Sequence, residues 1–526
     1  MKRSVPRVRY PLAVAAVLTL LGAQGALAGA GTTNATGPSG ARYSFTITCA
    51  TRSATARVEL SNAYGWRKLW IEGTGWFNYG VGILFGTTPA NWLMTKHSDD
   101  GSSSYSLIEE STAHVETPVL GPISTTDCPT YPAVGSAFVP MTPVRLLDTR
   151  PESAVNYAGP KPGATGSVDV QITGQVGVPA NAVAVVLNVT LTEASAPGYV
   201  QVYPTGQGTP GASSNLNAES VGQTIPNAVI APIGDGGRVT LYTMAGTHLI
   251  ADVSGYFVDV AGMTAAGRYA AITPTRVLDT RPEFAVDYAG SKPGAGTSVR
   301  ARPVVLAGLP MSQVAAVVLN VTATESSAAG FVQVAPAGAL VPGASSNLNL
   351  VQAGQTIPNL VIVPVSSSGE IDLFTQRGTH LIVDVFGWFT NGNAATSTSG
   401  LFVPMVPERV LDTRPRTAVN FDAEELDSVE RSWPEAGDQI SIDFDGLADD
   451  GVAAVVLNVP APESRAPAFI QGAAAQSLVP GASSNLNVER AGQTIPNAAI
   501  LPSERIVLYT QTGTNLVADI SGFFRS

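Results

Sequence analysis

Along this 526-residue chain, apolar and polar side chains alternate over short stretches and never hold the spacing of a long amphipathic helix. Stretches such as 43–49 (YSFTITC), 167–172 (SVDVQI) and 238–243 (RVTLYT) put every second residue on one face. Gly, Pro and Asn turns separate them, and the pattern predicts an all-β chain. From residue 138 the same succession of runs is written three times, over 138–260, 269–390 and 402–526. In the first copy the runs lie at 138–141, 144–147, 167–172, 182–191, 199–203, 213–217, 225–232, 238–243 and 248–258. Matching residues are 131 to 138 positions apart, so each copy is domain-sized, unlike a solenoid turn or a propeller blade. The predicted architecture is three tandem β-sandwich, jelly-roll-like repeats preceded by a small disulfide-stapled β domain at 29–135. The linkers 259–267 and 391–400 are short and rich in small residues. Neighbouring repeats should therefore sit close, either as beads on a stiff rod or packed around a pseudo-threefold axis.

The strictest stretch is 210–227, PGASSNLNAESVGQTIPN, which returns at 342–359 and 480–497. Fourteen of its eighteen positions are identical in all three copies, and the four that vary (218–221 in the first) are adjacent. Alternation places Asn215 and Asn217 on one face and Leu216 on the other, and Pro226 marks the following run as an edge or bulged strand. With Asn227 equally fixed, the segment reads as a structural loop-and-edge device whose variable tip is left for repeat-specific recognition. The run 184–189 (AVVLNV) is nearly all apolar and predicts a strand covered on both faces. Asn188 interrupts it, as do Asn320 and Asn458 in the other copies, and a buried amide there must find partners. Asn188-Val189-Thr190 also spells a glycosylation sequon, an accidental match if the strand is buried.

Each repeat opens on Arg-x-x-Asp-Thr-Arg: Arg145, Asp148 and Arg150, then Arg276, Asp279 and Arg281, then Arg409, Asp412 and Arg414. Each closes on an apolar strand that contains one acid, Asp252, Asp384 or Asp519. Burying a lone carboxylate is costly, so an ion-pair clasp should join the first and last strands, with Arg145 and Arg150 as candidate partners of Asp252. His248 and His380 stand four residues before Asp252 and Asp384, but the third copy has Asn515. Three equivalent sites cannot rest on a histidine that one copy lacks, and the expectation is a partly exposed sheet histidine. Between 420 and 451 the third repeat carries eleven acidic residues and one basic one. Asp443, Asp445 and Asp449 there faintly match a calcium loop, with a solvated acidic loop as the competing reading.

The N-terminal end changes the picture twice. Residues 1–28 read as a secretory leader: Lys2, Arg3, Arg7 and Arg9, a short apolar core at 12–21, and Ala26-Leu27-Ala28 as a cleavage site. Secretion is the expectation, with no membrane span after cleavage, and it makes Cys49 and Cys128 a disulfide pair within the first domain. That domain also gathers Trp66, Trp70, Trp76, Tyr79 and Trp92, which could stack on sugar faces or fill a small core. A formal charge of −11 argues against nucleic acid as a partner. HExxH, a nucleophile elbow, a phosphate loop and a cysteine nucleophile are all missing, so neither an enzyme nor a cofactor is expected.

The succession RLLDTR, VVLNVT, SNLN, GQTIPN and DVSGYF resembles a repeat domain found in secreted and cell-surface proteins of actinobacteria, where it stands in tandem or beside cell-wall hydrolases and peptidases. The resemblance covers 138–526 and is weakest in the third copy, with Pro460, Asn515 and the acidic insertion. It implies an extracellular, non-catalytic accessory module without an established ligand. The expected function is a secreted or surface-associated binding protein that engages glycan or cell-wall polymer multivalently. The alternative is a passive structural or self-associating stalk or coat protein, and a carboxylate-dependent hydrolase stands third.

Overall fold

The computed structural model describes eight strands before residue 134, and then residues 134–526 apart from 415–416, 418, 422–432, 445–446 and 449–450. The leader, Cys49, Cys128, Trp66, Trp76, Tyr79, Asp445 and Asp449 lie outside the described residues. The chain is nearly all-β, in antiparallel sheets. The first eight strands are β1 (Gly31–Thr36), β2 (Arg42–Thr48), β3 (Ser53–Glu59), β4 (Arg67–Gly73), β5 (Val81–Phe85), β6 (Asn91–Lys96), β7 (Ser104–Glu110) and β8 (Glu116–Ser124). They form two four-stranded sheets, ordered β1-β2-β3-β6 and β5-β4-β7-β8.

The first repeat supplies β9 (Ser136–Asp148), β10 (Ala164–Gln171), β11 (Ala182–Thr192), β12 (Gly198–Pro204), β13 (Leu216–Ala218), β14 (Ile225–Pro232), β15 (Arg238–Ala245) and β16 (His248–Asp259). An inner sheet runs β14-β11-β16-β9 and an outer one β10-β15-β12-β13. Val200, Val202 and Leu241 of the outer sheet meet Leu187, Val189 and Val253 of the inner one, all at most 1 % exposed. Each such aliphatic side chain contributes about 1.5–3 kcal/mol on burial, which holds the two sheets together. The same order recurs in β17 (Tyr269–Asp279), β18 (Thr297–Ala301), β19 (Val314–Thr324), β20 (Gly330–Pro336), β21 (Leu348–Leu350), β22 (Ile357–Pro364), β23 (Ile371–Thr375) and β24 (His380–Thr390). The third repeat has β25 (Phe402–Asp412), β26 (Gln439–Asp443), β27 (Val452–Ala461), β28 (Ala468–Ala474), β29 (Leu486–Val488), β30 (Ile495–Pro502), β31 (Arg505–Thr510) and β32 (Val517–Arg525).

Two local expectations change. The runs 138–141 and 144–147 form one strand, β9, whose register with β16 slips between Pro140 and Val144. Pro143 has no N–H for the ladder, so the chain bulges there and then resumes pairing. The run 213–217 shortens to β13, and Ser213, Ser214 and Asn215 become loop. β14 does lie at the end of its sheet, where Pro226 leaves no ladder position empty.

Period two sends Leu187 and Val189 into the repeat's own core and Ala184, Val186 and Asn188 out of the opposite face. Three such faces meet. Ala184, Val186 and Ile230 pack in one cluster with Ala316, Val318 and Ile362 and with Ala454, Val456 and Ile500. At one end of the cluster six rings stack together: Phe138, Phe257, Tyr269, Phe389, Phe402 and Phe524. The third repeat closes on the first, where Phe402 of β25 pairs with Ser136 of β9 and joins two inner sheets into one of eight strands. The repeats are therefore packed around a pseudo-threefold axis, and the rod arrangement is excluded. The linkers depend on glycine at one place each. Gly267 (φ +77°) and Gly400 (φ +81°) adopt left-handed backbone against Phe138 and Tyr269, with room for a Cβ at neither. No helix among the described residues is long and apolar enough to cross a membrane.

Candidate functional site at the repeat junctions

The most repeated residues of the sequence converge where one repeat meets the next. Asn227 is fully buried. Its Nδ2 donates to the Asn215 carbonyl (2.6 Å) and to Oδ1 of Asn458 in the third repeat (2.7 Å), and its Oδ1 accepts the Ala498 N–H (3.0 Å). Asn359 does the same toward Asn188 and Ala228, and Asn497 toward Asn320 and Leu360. Asn188 and Asn320 in turn donate to the carbonyls of Ser346 (2.6 Å) and Ser484 (2.9 Å), and Asn458 donates to that of Ser214. Each copy of the segment thus docks on the preceding repeat, and the first docks on the third. An end strand presents unpaired N–H groups that would otherwise recruit another chain. Here an asparagine from the next repeat caps the N–H of Ala228, Leu360 and Ala498. Because Asn188 is spent in this way and 7 % exposed, its sequon is closed off.

The variable tips face the neighbours too. Glu219 bonds the Thr494 N–H and Arg490 (2.6 Å) of the third repeat, and Glu489 bonds the Thr356 N–H of the second. Val351 stands at the matching place in the second repeat, so that junction lacks the carboxylate contact.

Arg145 joins the clasp, donating from Nε to Asp252 (2.5 Å) and from Nη1 to Asp148 (3.0 Å). Arg276 and Arg409 repeat the arrangement with Asp384 and Asp279 and with Asp519 and Asp412. Arg150, expected as a second partner of Asp252, instead grips Asp148 through its own N–H, Nε and Nη2 (2.6 Å). Two residues apart on a tight turn, its guanidinium reaches Asp148 before it could span to β16. Burial alone would raise the Asp148 pKa, but the hydrogen bonds and charge of Arg150, with Arg145 behind, hold it below the usual carboxylate range. Asp252, sealed more deeply, is pushed up by burial against the pull of Arg145. The next repeat completes the site: the backbone N–H of Ser346 reaches Asp252 (3.3 Å) and that of Ser214 reaches Asp519 (3.0 Å). The six arginines keep 19–34 % of their side chains exposed, so each junction is partly open to solvent at its arginines.

The histidines correct their expectation. His248 and His380 are 6 % exposed, because the Thr149 and Thr280 hydroxyls bond their Nδ1 (3.0 and 3.1 Å) on the inner side. Glu193 and Glu325 approach Nε2 at 3.8 and 3.9 Å. In the third copy the amide of Asn515 accepts from Thr413 (3.1 Å) and donates to Glu463 (3.0 Å), taking up the same two neighbours as the imidazole. The order Thr–His–Glu mimics a nucleophilic triad, yet the Thr149 hydroxyl is buried and accepts the Leu249 N–H (2.9 Å), out of reach of a substrate. Among the described residues no group of three or more His, Cys, Asp or Glu could hold a metal ion. Asp443, the part of the calcium candidate inside the described residues, accepts a bond from Arg505 Nε (2.6 Å).

Reading the sequence missed an aromatic pair on the outer sheet. Tyr199 and Tyr242 lie 6.1 Å apart between ring centroids, Phe331 and Phe374 5.8 Å, and Phe469 and Tyr509 5.8 Å. Val200 and Leu241 point into the core, so period two turns these rings to the opposite face. Burial and Tyr242 raise the Tyr199 pKa, while Arg409 of the third repeat lies close enough to pull it down. The signal was legible as an aromatic kept at matched positions in PGYVQ, AGFVQ and PAFIQ, but the exchange of Tyr for Phe hid it. Of the N-terminal aromatics, Trp70 sits on β4 and Trp92 on β6, strands of two different sheets.

No protein-family description matches the chain, and no curated protein matches it. Among solved structures, a chain from the atomic structure of Sulfolobus Turreted Icosahedral Virus aligns over 74 % of this chain and 91 % of its own, at 10 % identity and a TM-score of 0.15. A likeness that weak carries no argument for fold or function.

Proposed function

We propose that this is a secreted or cell-surface, non-catalytic protein that engages extracellular glycan or cell-wall polymer multivalently, with the ring of repeats as a rigid platform. The observation that carries the reading is the aromatic pair placed three times on the outer sheets, off the core side, with Arg409 of the third repeat close to the first pair. Rings that stack on sugar faces, beside guanidinium donors for hydroxyls or carboxylates, suit a glycan. Three copies held at fixed spacing give avidity from weak single sites. Hydrolysis by the repeated carboxylates fits poorly, since each of Asp148, Asp252, Asp279, Asp384, Asp412 and Asp519 is already held by arginine. In a glycan array and a wall pull-down, the triple replacement Tyr199→Ala, Phe331→Ala and Phe469→Ala should lose about a hundredfold or more in apparent affinity, and each single change far less. Unchanged binding in the folded triple variant would refute it.

A structural role is the second reading, favoured by motif residues that spend their bonds on one another. Closure of the ring leaves no copy of that interface for a further molecule, so a polymer would need other surfaces. We also infer that each repeat is a jelly-roll-like β-sandwich, and that Cys49 and Cys128 staple the N-terminal β domain. Intact mass before and after alkylation without reductant should show both thiols blocked, and two added alkyl groups would rule the bridge out.

A further inference from the structure

The three junctions also differ in how closely their walls pack. Between the second and third repeats lies a cleft of about 350 Å³ lined by Ala271, Ile272, Phe386, Ala473, Ala474 and Val479 among others, with no charged side chain in its wall. Several wall positions carry less bulk than both matched copies: Ala271 stands for Pro140 and Pro404, Gly472 for Val202 and Val334, and Ala474 for Pro204 and Pro336, while Ala473 stands for Tyr203 of the first repeat. Bulk is thus removed from both sides of one seam. In the same place a ring is added, because Phe386, 3 % exposed, stands where the other repeats have Ser254 and Ser521. Drift on one side alone would be expected to let the opposite wall collapse, since interiors pack to near crystal density. Small residues facing an added ring across an open space instead match the makeup of ligand pockets, whose volumes begin near 300 Å³.

We propose that this cleft binds one uncharged, apolar, ring-sized molecule per chain. The site is separate from the aromatic pairs and does not depend on glycan binding. Titrating the full chain with the neutral fluorophore N-phenyl-1-naphthylamine should give saturable enhancement with one site per chain. Ala473→Tyr, which restores the residue the first repeat carries, should weaken binding about tenfold or more with the melting temperature kept. Phe386→Ser, taken from the other two repeats, should weaken it about fivefold. Three sites per chain, no saturable binding, or unchanged affinity in either folded variant would each overturn the proposal.

Discussion

Asn227→Ala should destabilise the chain by about 3–6 kcal/mol in urea unfolding, more than any other single change in the 210–227 segment. The alanine leaves the Asn215 carbonyl, Asn458 Oδ1 and the Ala498 N–H without their bonds in a site that water does not reach. Each buried orphan costs about 1–3 kcal/mol, against a total stability of about 5–15 kcal/mol for an ordinary domain. Two of the three lost bonds join the first repeat to the third, so the transition should also broaden or split as the repeats uncouple. Asn217→Ala is the control: Asn217 Oδ1 accepts no bond, and the change should cost less than about 1 kcal/mol. A folded Asn227→Ala protein within 1 kcal/mol of the parent would show that the asparagine ladder does not hold the ring.

Asp148→Ala should cost about 3 kcal/mol at pH 7 by leaving the guanidinium of Arg150 without its carboxylate. The lower end of the range for a broken buried pair applies, because Arg145 and Arg150 retain 22 % and 29 % exposure. The pH dependence follows from the lowered pKa. A carboxyl that ionises below its unfolded value of about 4 stabilises the fold above that pH, and the gain is lost as pH falls through the folded value. The gap in melting temperature between parent and variant should therefore hold from pH 7 to about 5 and shrink below about 4. A gap that stays constant down to pH 2 would mean that packing, and not charge, makes Asp148 necessary.

Much of this was legible in the sequence, and the misses share a cause. Alternation located the strands, and the cost of a lone buried acid pointed to Arg145 for Asp252. Repetition shows what is kept, but not which copy a residue touches. Asn215 and Asn227 read as fixing a loop within one repeat, and Asn188 as a buried strand amide in need of partners, whereas Asn188 and Asn227 bond across a junction. Nothing in a single repeat's pattern carries that information, because the partner lies 158 or 231 residues away. His248 was expected at the surface for a similar reason. Its burial depends on the hydroxyl of Thr149, ninety-nine residues earlier, which period two along one strand cannot reveal.

The direction in which the segments dock sets an order on synthesis. The second repeat can seat itself on the first as soon as both exist, and the third on the second. The first has to wait, because Asn227 and Ser214 take their partners, Asn458 and Asp519, from the third. Until the third repeat emerges, the amide of Asn227 has only its local carbonyl, the Leu360 N–H of β22 lacks Asn497, and that strand shows an uncapped edge to neighbouring nascent chains. Shielding that edge falls to whatever accompanies the unfinished chain, and the need ends when the ring shuts.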